Sequence, residues 1–389
     1  MRLIYLLPLF YKSKRKSSLG LYKDIINIEK YFSNRGIVYE KYYTSSNFFN
    51  LDDKKTINKI LKIKPEFIFL EKYLSFKFIF YLIFIKYFKL KNTQIIYRSH
   101  NAEIFHRLDF LKALLNQIKF KKSILFKFNF IFSNLKNFLL IPLKELMILI
   151  FVDIILSTNE WEKKNYWKKI YFSKAVSLHP FVESNNIKSK PKKKLNNICL
   201  VPCAKPTNII ANDQLISFLN KIHEFKYLGI KFIFTGDLPE YLKKNIFHFA
   251  KKENLDVGKF YFLENKKNIN IKNFFLQRIN PSKLGFEKKL SFEYICSCTN
   301  KSLILSFLGY GVKTKILELI AHGHSVFLND KIFYLQDNIV KRNTEKFNST
   351  SQLKKKIKKK IKVNKKINIL LKKNYYVVLD KIFKVHDRD

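Results

Sequence analysis

The sequence is short of glycine, cysteine and acidic residues and holds no long uncharged apolar run, and each shortage narrows what the chain can be. Only 9 of its 389 residues are glycine, against roughly 7% in average proteins. Each glycine that is kept therefore marks a place where a side chain is not tolerated. The four cysteines, Cys199, Cys203, Cys296 and Cys298, fall in two pairs whose spacings match no common zinc pattern and which flank apolar residues. They read as buried, reduced thiols. The apolar stretches from Phe78 to Ile85 and from Leu146 to Leu156 are interrupted by Lys, Glu or Asp well short of the ~18 uncharged residues a transmembrane helix needs, so no span is expected. Met1 to Phe10 (MRLIYLLPLF) has one basic residue and no small-residue cleavage site after it, and it reads as a first buried strand rather than a secretory leader.

Acidic residues are outnumbered, 30 Asp and Glu against 75 Lys and Arg, for a formal charge of +45. Such a chain ordinarily meets nucleic acid or an anionic membrane surface. The excess is overwhelmingly lysine, however, and it rises together with Asn, Ile, Phe and Tyr, as an AT-rich genome produces without selection for a partner. Clustered arginine and a known nucleic-acid module are both missing, and lysine lacks the planar fork that reads bases. No specific nucleic-acid partner is expected. What the charge retains is adhesion to anionic lipid and the inward steering of an anionic substrate.

What is present is enough apolar material for two cores, 47% of the chain. Short apolar runs alternate with longer helical segments: Leu3 to Leu9, Leu21 to Phe32, Val38 to Tyr42, Ile57 to Ile63, Phe67 to Leu70, Ile95 to Tyr97 and Val152 to Ser157. That rhythm predicts an α/β fold with a parallel sheet wrapped by helices. The polar stretch Lys188 to Asn197 (KSKPKKKLNN) reads as a linker, and a second alternating series follows. Its strands are Ile198 to Val201, Ile230 to Thr235, Leu303 to Phe307 and Ser325 to Leu328; its helices are Gln214 to Phe225 and Lys315 to His322. Two successive doubly wound domains are implied, at residues 1–188 and 189–365, with 366–389 as a C-terminal helix or tail whose return to the first domain stays open. Leu108 to Ile150 reads as long greasy, basic helices, for which core packing and membrane-surface docking both stand. Lys354 to Lys373 reads as a solvated lysine-rich helix face.

Three of the nine glycines, Gly309, Gly311 and Gly323, fall within fifteen residues. The chain leaves a strand at Ser306, passes the turn Gly309-Tyr310-Gly311-Val312-Lys313 and enters the helix KILELIAH, which Gly323 closes before SVFLN resumes the sheet. A glycine turn at a helix N-terminus exposes unpaired N–H groups at the positive end of the dipole, where a diphosphate can bind. Lys313 and Lys315 add charge, and Glu318, one helical turn in, can accept two hydrogen bonds from a cis-diol such as ribose.

The segment LGYGVKTKILELIAHGHSVF resembles the donor-site signature of the retaining, nucleotide-sugar-dependent glycosyltransferases with the GT-B fold (group 1, family 4 type). Other segments match in order. Ser18-Leu19-Gly20 resembles the family's glycine loop after its first strand, and Tyr97 to Glu103 (YRSHNAE) resembles its histidine-asparagine-x-glutamate segment. LSTNEWEKKNY, Leu156 to Tyr166, resembles its serine and acidic helix; Phe234 to Pro239 its strand-glycine-x-x-proline; and Leu284-Gly285-Phe286 the glycine preceding the donor loop.

The resemblance implies two Rossmann-like domains facing across a cleft and transfer of a sugar from a nucleotide-sugar to a glycan or lipid-linked acceptor, with retention and without a metal or other cofactor. By that carry-over Glu318 holds the ribose, the loop from Gly309 to Lys315 holds the diphosphate, and His100 faces the sugar near the reacting carbon. Lys205 and Gly236 join the donor side, while Gly20, Asn101 and Glu103 line the acceptor side. The pattern departs from the family at Tyr310, which replaces a glutamate, and at Pro202-Cys203, which replaces glycine-serine; a nearby arginine is also missing, with Lys205 the only cation close by. Two other readings therefore stand beside the enzyme: a catalytically degenerate GT-B subunit, and a basic nucleic-acid binder. The greasy basic first domain suggests a cytoplasmic protein held peripherally at the inner membrane face, in surface polysaccharide or glycolipid synthesis.

Overall fold

The computed structural model describes residues 1–12, 20–44, 51–71, 74–100, 102, 104–105, 108, 140, 142–170, 174–182, 195–202, 230–235, 260–263, 296, 299–305, 314–358, 364 and 366–385. By contacts these fall into two compact units, one built on Met1–Phe181 and completed by the chain from Leu371 onward, the other holding most of what lies between.

The apolar runs become parallel strands. In the first unit β1 (Arg2–Pro8), β2 (Val38–Thr44), β3 (Phe67–Glu71), β4 (Gln94–Arg98), β5 (Ile154–Ser157) and β6 (Ala175–Ser177) form a sheet in the order β2-β1-β3-β4-β5-β6, with every pairing parallel. In the second, β7 (Leu195–Pro202), β8 (Lys231–Thr235), β9 (Phe260–Leu263), β10 (Thr299–Ile304), β11 (Ser325–Asn329) and β12 (Thr344–Phe347) run β12-β11-β10-β7-β8-β9, again all parallel. Each sheet winds outward from its first strand in one direction and then in the other. The direction reverses between β1 and β3 and between β7 and β10, and in open sheets of this kind ligands bind at the strand carboxyl ends at such reversals.

Strands covered on both faces need apolar residues throughout. β3 (FIFLE) and β11 (SVFLN) are buried along their whole length, whereas the edge strand β2 (VYEKYYT) is exposed or half-buried up to its last residue and carries Glu40 and Lys41, and charges on an edge discourage pairing with another chain. Alternate residues of the first sheet serve its two faces. On one face Ile4, Leu6, Ile68 and Leu70 pack with Ile57 and Ile60 of α2 (Leu51–Ile63), with Phe78, Ile79, Leu82 and Ile85 of α3 (Phe76–Phe88), with Ile148 and Phe151 of α4 (residues 142–151), and with Trp167. On the other face lies an aromatic layer. Tyr5 and Phe69 meet edge to face at 5.3 Å, and Phe32 of α1 (Gly20–Asn34) lies 5.8 Å from Tyr5.

Among the described residues four helices begin on a side-chain cap that takes an orphan backbone N–H: Ser75, Asn159, Asn329 and Ser349. Two of the described helices end on a left-handed glycine. Gly36 (φ 61) follows α1 and Gly323 (φ 75) follows α5 (Thr314–Ala321). In both, the residue after the glycine donates back across the last turn, Ile37 N to Phe32 O at 2.9 Å and His324 N to Leu319 O at 3.0 Å, while the glycine N–H reaches Ser33 O or Ile320 O. This Schellman closure needs a positive φ that a β-carbon resists.

The lysine-rich C-terminal region is not one solvated face. It divides into a helix over Thr350–Lys356 and α6 (Ile367–Phe383), and Leu353, Ile357, Ile367 and Leu371 are buried. From Leu371 onward α6 belongs to the first unit, where Phe383 reaches the aromatic layer, 5.1 Å from Phe67 and 5.6 Å from Phe32. Arg35 grips both oxygens of Asp380, and Tyr31 Oη donates to Asp380 Oδ1 at 2.9 Å. The expected linker Lys188 to Asn197 is also shorter than its composition suggests, because β7 begins at Leu195. The expected helix Gln214 to Phe225 and most of Leu108 to Ile150 lie outside the described residues. Among the described residues no helix is long and apolar enough to cross a membrane.

Candidate functional site

In the first unit the carboxyl ends of β3 and β4, next to the reversal between β1 and β3, bring three polar side chains together. Glu71 ends β3, and its oxygens are shared: Tyr5 Oη donates to Oε1 at 2.7 Å, and His100 Nε2 is hydrogen-bonded to Oε2. Glu71 is buried and His100 is partly exposed. Burial pushes the Glu71 carboxyl up to about 8, against the lowering effects of the Tyr5 hydrogen bond and the Arg98 charge. The His100 ring therefore bonds to a carboxyl that holds its proton more readily than an exposed one.

Arg98, in register with Glu71, is fully buried. Its Nε donates to Asp24 Oδ2 at 2.9 Å and its Nη1 to Ser157 O at 3.1 Å, and Tyr375 Oη donates to Asp24 Oδ1 at 3.3 Å. Arg98 therefore holds β4, β5 and α1 together, and Asp24 carries the link on to α6. Although Arg98 lies two residues before His100, it is closed off from solvent.

A second buried carboxylate fixes the exit of β4. Glu162 takes Ser99 Oγ at 2.5 Å and Trp167 Nε1 at 3.0 Å on one oxygen, and Thr158 N (3.1 Å) and Thr158 Oγ1 (2.7 Å) on the other. Its own N–H is capped by Asn159 Oδ1 at 2.6 Å. The helix carrying Glu162 passes into a π-type turn over Lys163–Trp167, and Trp167 and Tyr166 are buried in the core. Ser99 is the residue before His100, so this hub sets the backbone from which the histidine projects. Gly20 begins α1, while Asn101 and Glu103 lie outside the described residues.

In the second unit the chain leaves β10 at the reversal between β7 and β10 and next appears as α5. Gly309, Tyr310, Gly311, Val312 and Lys313 occupy the stretch between these elements and lie outside the described residues, as do Lys205, Cys203 and Gly236. Lys315 is exposed on the first turn of α5, and Glu318, three residues on, shares its side of the helix with only 8% of its surface exposed. The four residues Ile316, Leu317, Leu319 and Ile320 anchor the helix in the core. Behind it, His324 is buried and bonded to Ser302 Oγ at 2.6 Å and to Cys296 O at 2.7 Å, which ties the start of β11 to β10. Its role is structural. Cys199 and Cys296 are buried free thiols, and burial pushes Cys199 up to about 12, so it is unreactive.

Sequence reasoning named His100 and missed its partner. The signal was present: Glu71 is the single acid at the end of an otherwise apolar strand, FIFLE, and a strand-end carboxylate at a sheet reversal is a functional position before it is a packing one.

No known protein-family model matches the chain, and no curated protein matches it in sequence. Solved structures do match. The sucrose-phosphate synthase of Thermosynechococcus elongatus superposes with a TM-score of 0.61 at 8% identity, covering 99% of this chain and 98% of that one. A glycosyltransferase from Rickettsia africae gives 0.57 at 11% identity, with 99% of each chain covered. An α-glucosyltransferase, solved with UDP-glucose and DNA containing an abasic site, gives 0.51 at 13% identity over 98% of this chain and 95% of that one. The fold is GT-B, two Rossmann-like α/β units in sequence.

Proposed function

We propose that the protein is a glycosyltransferase that transfers a sugar from a nucleotide-sugar to a glycan or lipid-linked acceptor, retaining its anomeric configuration. The observation that carries this reading is positional. The two segments whose residues resemble the family's sugar-facing and donor-binding motifs leave the sheets at or beside their reversals, where α/β folds bind ligands. The solved proteins of the same fold include one held with UDP-glucose, which agrees with a nucleotide-sugar donor.

In this reading the loop from Gly309 to Lys313 and the N-terminus of α5 receive the diphosphate, with Lys315 and Lys205 adding positive charge where negative charge grows as the donor bond breaks. Gly236 lies near the nucleotide. Glu318 accepts two hydrogen bonds from the ribose diol. It is held close to the core, so its carboxylate loses little water on meeting the ligand. His100 faces the sugar, and Glu71 is its positioning residue: the hydrogen bond to Nε2 fixes the ring orientation and tautomer. Gly20, Asn101 and Glu103 belong to the acceptor side, and the work is done at an anionic membrane face. No metal or other cofactor enters this scheme.

Thermal shift against UDP-, GDP-, ADP- and dTDP-sugars tests the donor, since a ligand that binds only the folded chain raises its melting temperature by mass action. One sugar nucleotide should raise it, and Glu318→Ala should abolish that rise while the unliganded melting temperature stays within a few degrees. A panel in which no nucleotide-sugar shifts the protein overturns the proposal. A shift that Glu318→Ala leaves intact removes Glu318 from the donor site.

A further inference from the structure

We infer that the outer face of α3 and α4 is a docking surface for an anionic lipid bilayer. Among the described residues seventeen large hydrophobic side chains are exposed, and eight of them lie on these two helices. Phe80, Phe84 and Phe88 repeat every four residues on α3, with exposures of 56–65%. Leu143, Leu146 and Ile150 follow at spacings of three and four on α4, so each helix presents one stripe. The helices adjoin, because Tyr87 Oη donates to Ile150 O at 2.7 Å.

This face is not left over from packing. The inner side of α3 is already filled by Phe78, Ile79, Leu82 and Ile85, so the helix is apolar on both sides. A helix at a water-facing surface normally gives water a polar side, and a patch of this kind marks a place where another apolar phase arrives. A helix of 13 residues is about 20 Å long, too short to cross a bilayer but suited to lie in its interface.

Charge selects the occupant. Lys77, Lys89 and Lys91 are exposed at the ends of α3, and Lys144 lies 5.0 Å over the Phe76 ring. The one carboxylate on either helix, Glu145, is turned inward to Tyr166 and buried. The two helices therefore expose lysines and no acid, while the carboxylates Glu66 and Asp153 lie off both helices, in a hollow they share with Lys86 and Lys91. Anionic headgroups attract this face, while a second copy of it would oppose lysine to lysine. The inference does not depend on which donor the protein uses, or on its using one.

Co-sedimentation with vesicles tests it. The full chain should bind phosphatidylglycerol–phosphatidylcholine vesicles, release as salt rises, and bind pure phosphatidylcholine weakly. Phe84→Ser with Phe88→Ser should lower the bound fraction constant by about tenfold or more, since each exposed ring would otherwise be buried in the interface. Lys89→Glu with Lys91→Glu should weaken binding at low salt only. Both pairs alter exposed side chains, so the melting temperature and any donor-induced shift should stay where they are. Unchanged binding by the phenylalanine pair overturns the assignment. So does a dimer in sedimentation velocity that the same pair disperses, because the face then covers a second copy.

Discussion

Glu71 is the residue where stability and site chemistry meet. Its folded value lies well above the ordinary 4.5, so between pH 4.5 and about 8 the folded chain holds a proton that the unfolded chain has released. The carboxyl's contribution is fully present below that window and is lost as pH rises through it. Denaturant midpoints measured from pH 5 to 8 should fall with pH, and Glu71→Gln, which cannot ionise, should flatten the slope. An equal slope in the variant would assign the titration to another group. The residue also shows where reading from sequence stops. His100 sat in a recognisable string, but its partner lies 29 residues earlier on a neighbouring strand, and only the register of β3 against β4 brings the two together. Arg98 shows the reverse: beside His100 in sequence, it points into the fold, because Asp24 on α1 offers a buried charge a partner.

At the scale of elements, most strands were legible because their composition answers to one constraint, burial on both faces. The short strands β6, β9 and β12 have only three or four residues each, too few for a pattern to emerge above their surroundings. The C-terminal helix misled through its lysines, since long charged side chains cover a face whose buried positions carry the packing. Phe383 tests that packing. It is 3% exposed against Phe32, Phe67 and Phe69, so Phe383→Ala should cost about 3–5 kcal/mol in chemical unfolding of the first unit; a loss below ~1 kcal/mol would mean the helix adds little there. Gly323 tests a helix end that sequence did reveal. At φ 75, Gly323→Ala should cost about 1–2 kcal/mol, and a neutral result would mean the turn relaxes out of the left-handed region.

Across the whole molecule, two successive α/β series predicted two parallel sheets, and both are found. The strand orders needed more than periodicity, because the hydrophobic pattern of a buried strand does not say which neighbour it takes. The positions of the sheet reversals were therefore invisible in the sequence, although the glycine-rich segment and the histidine segment mark where they fall. The total charge was the least informative bulk quantity. Its meaning is local, and it becomes readable on α3 and α4, where lysines border aromatic rings and the one acid has turned inward.

The return of α6 to the first unit also sets an order of events during synthesis. The aromatic layer of the first sheet is complete only when Phe383 arrives, yet the main part of that unit ends at Phe181. Roughly 190 residues separate Phe181 from Leu371, and at about 5–20 residues per second a ribosome needs on the order of 10–40 seconds to make them. Throughout that interval Phe32, Phe67 and Phe69 lack their cover. The first unit is thus made with part of its apolar surface open, for a time set by the distance along the chain between two halves of one core.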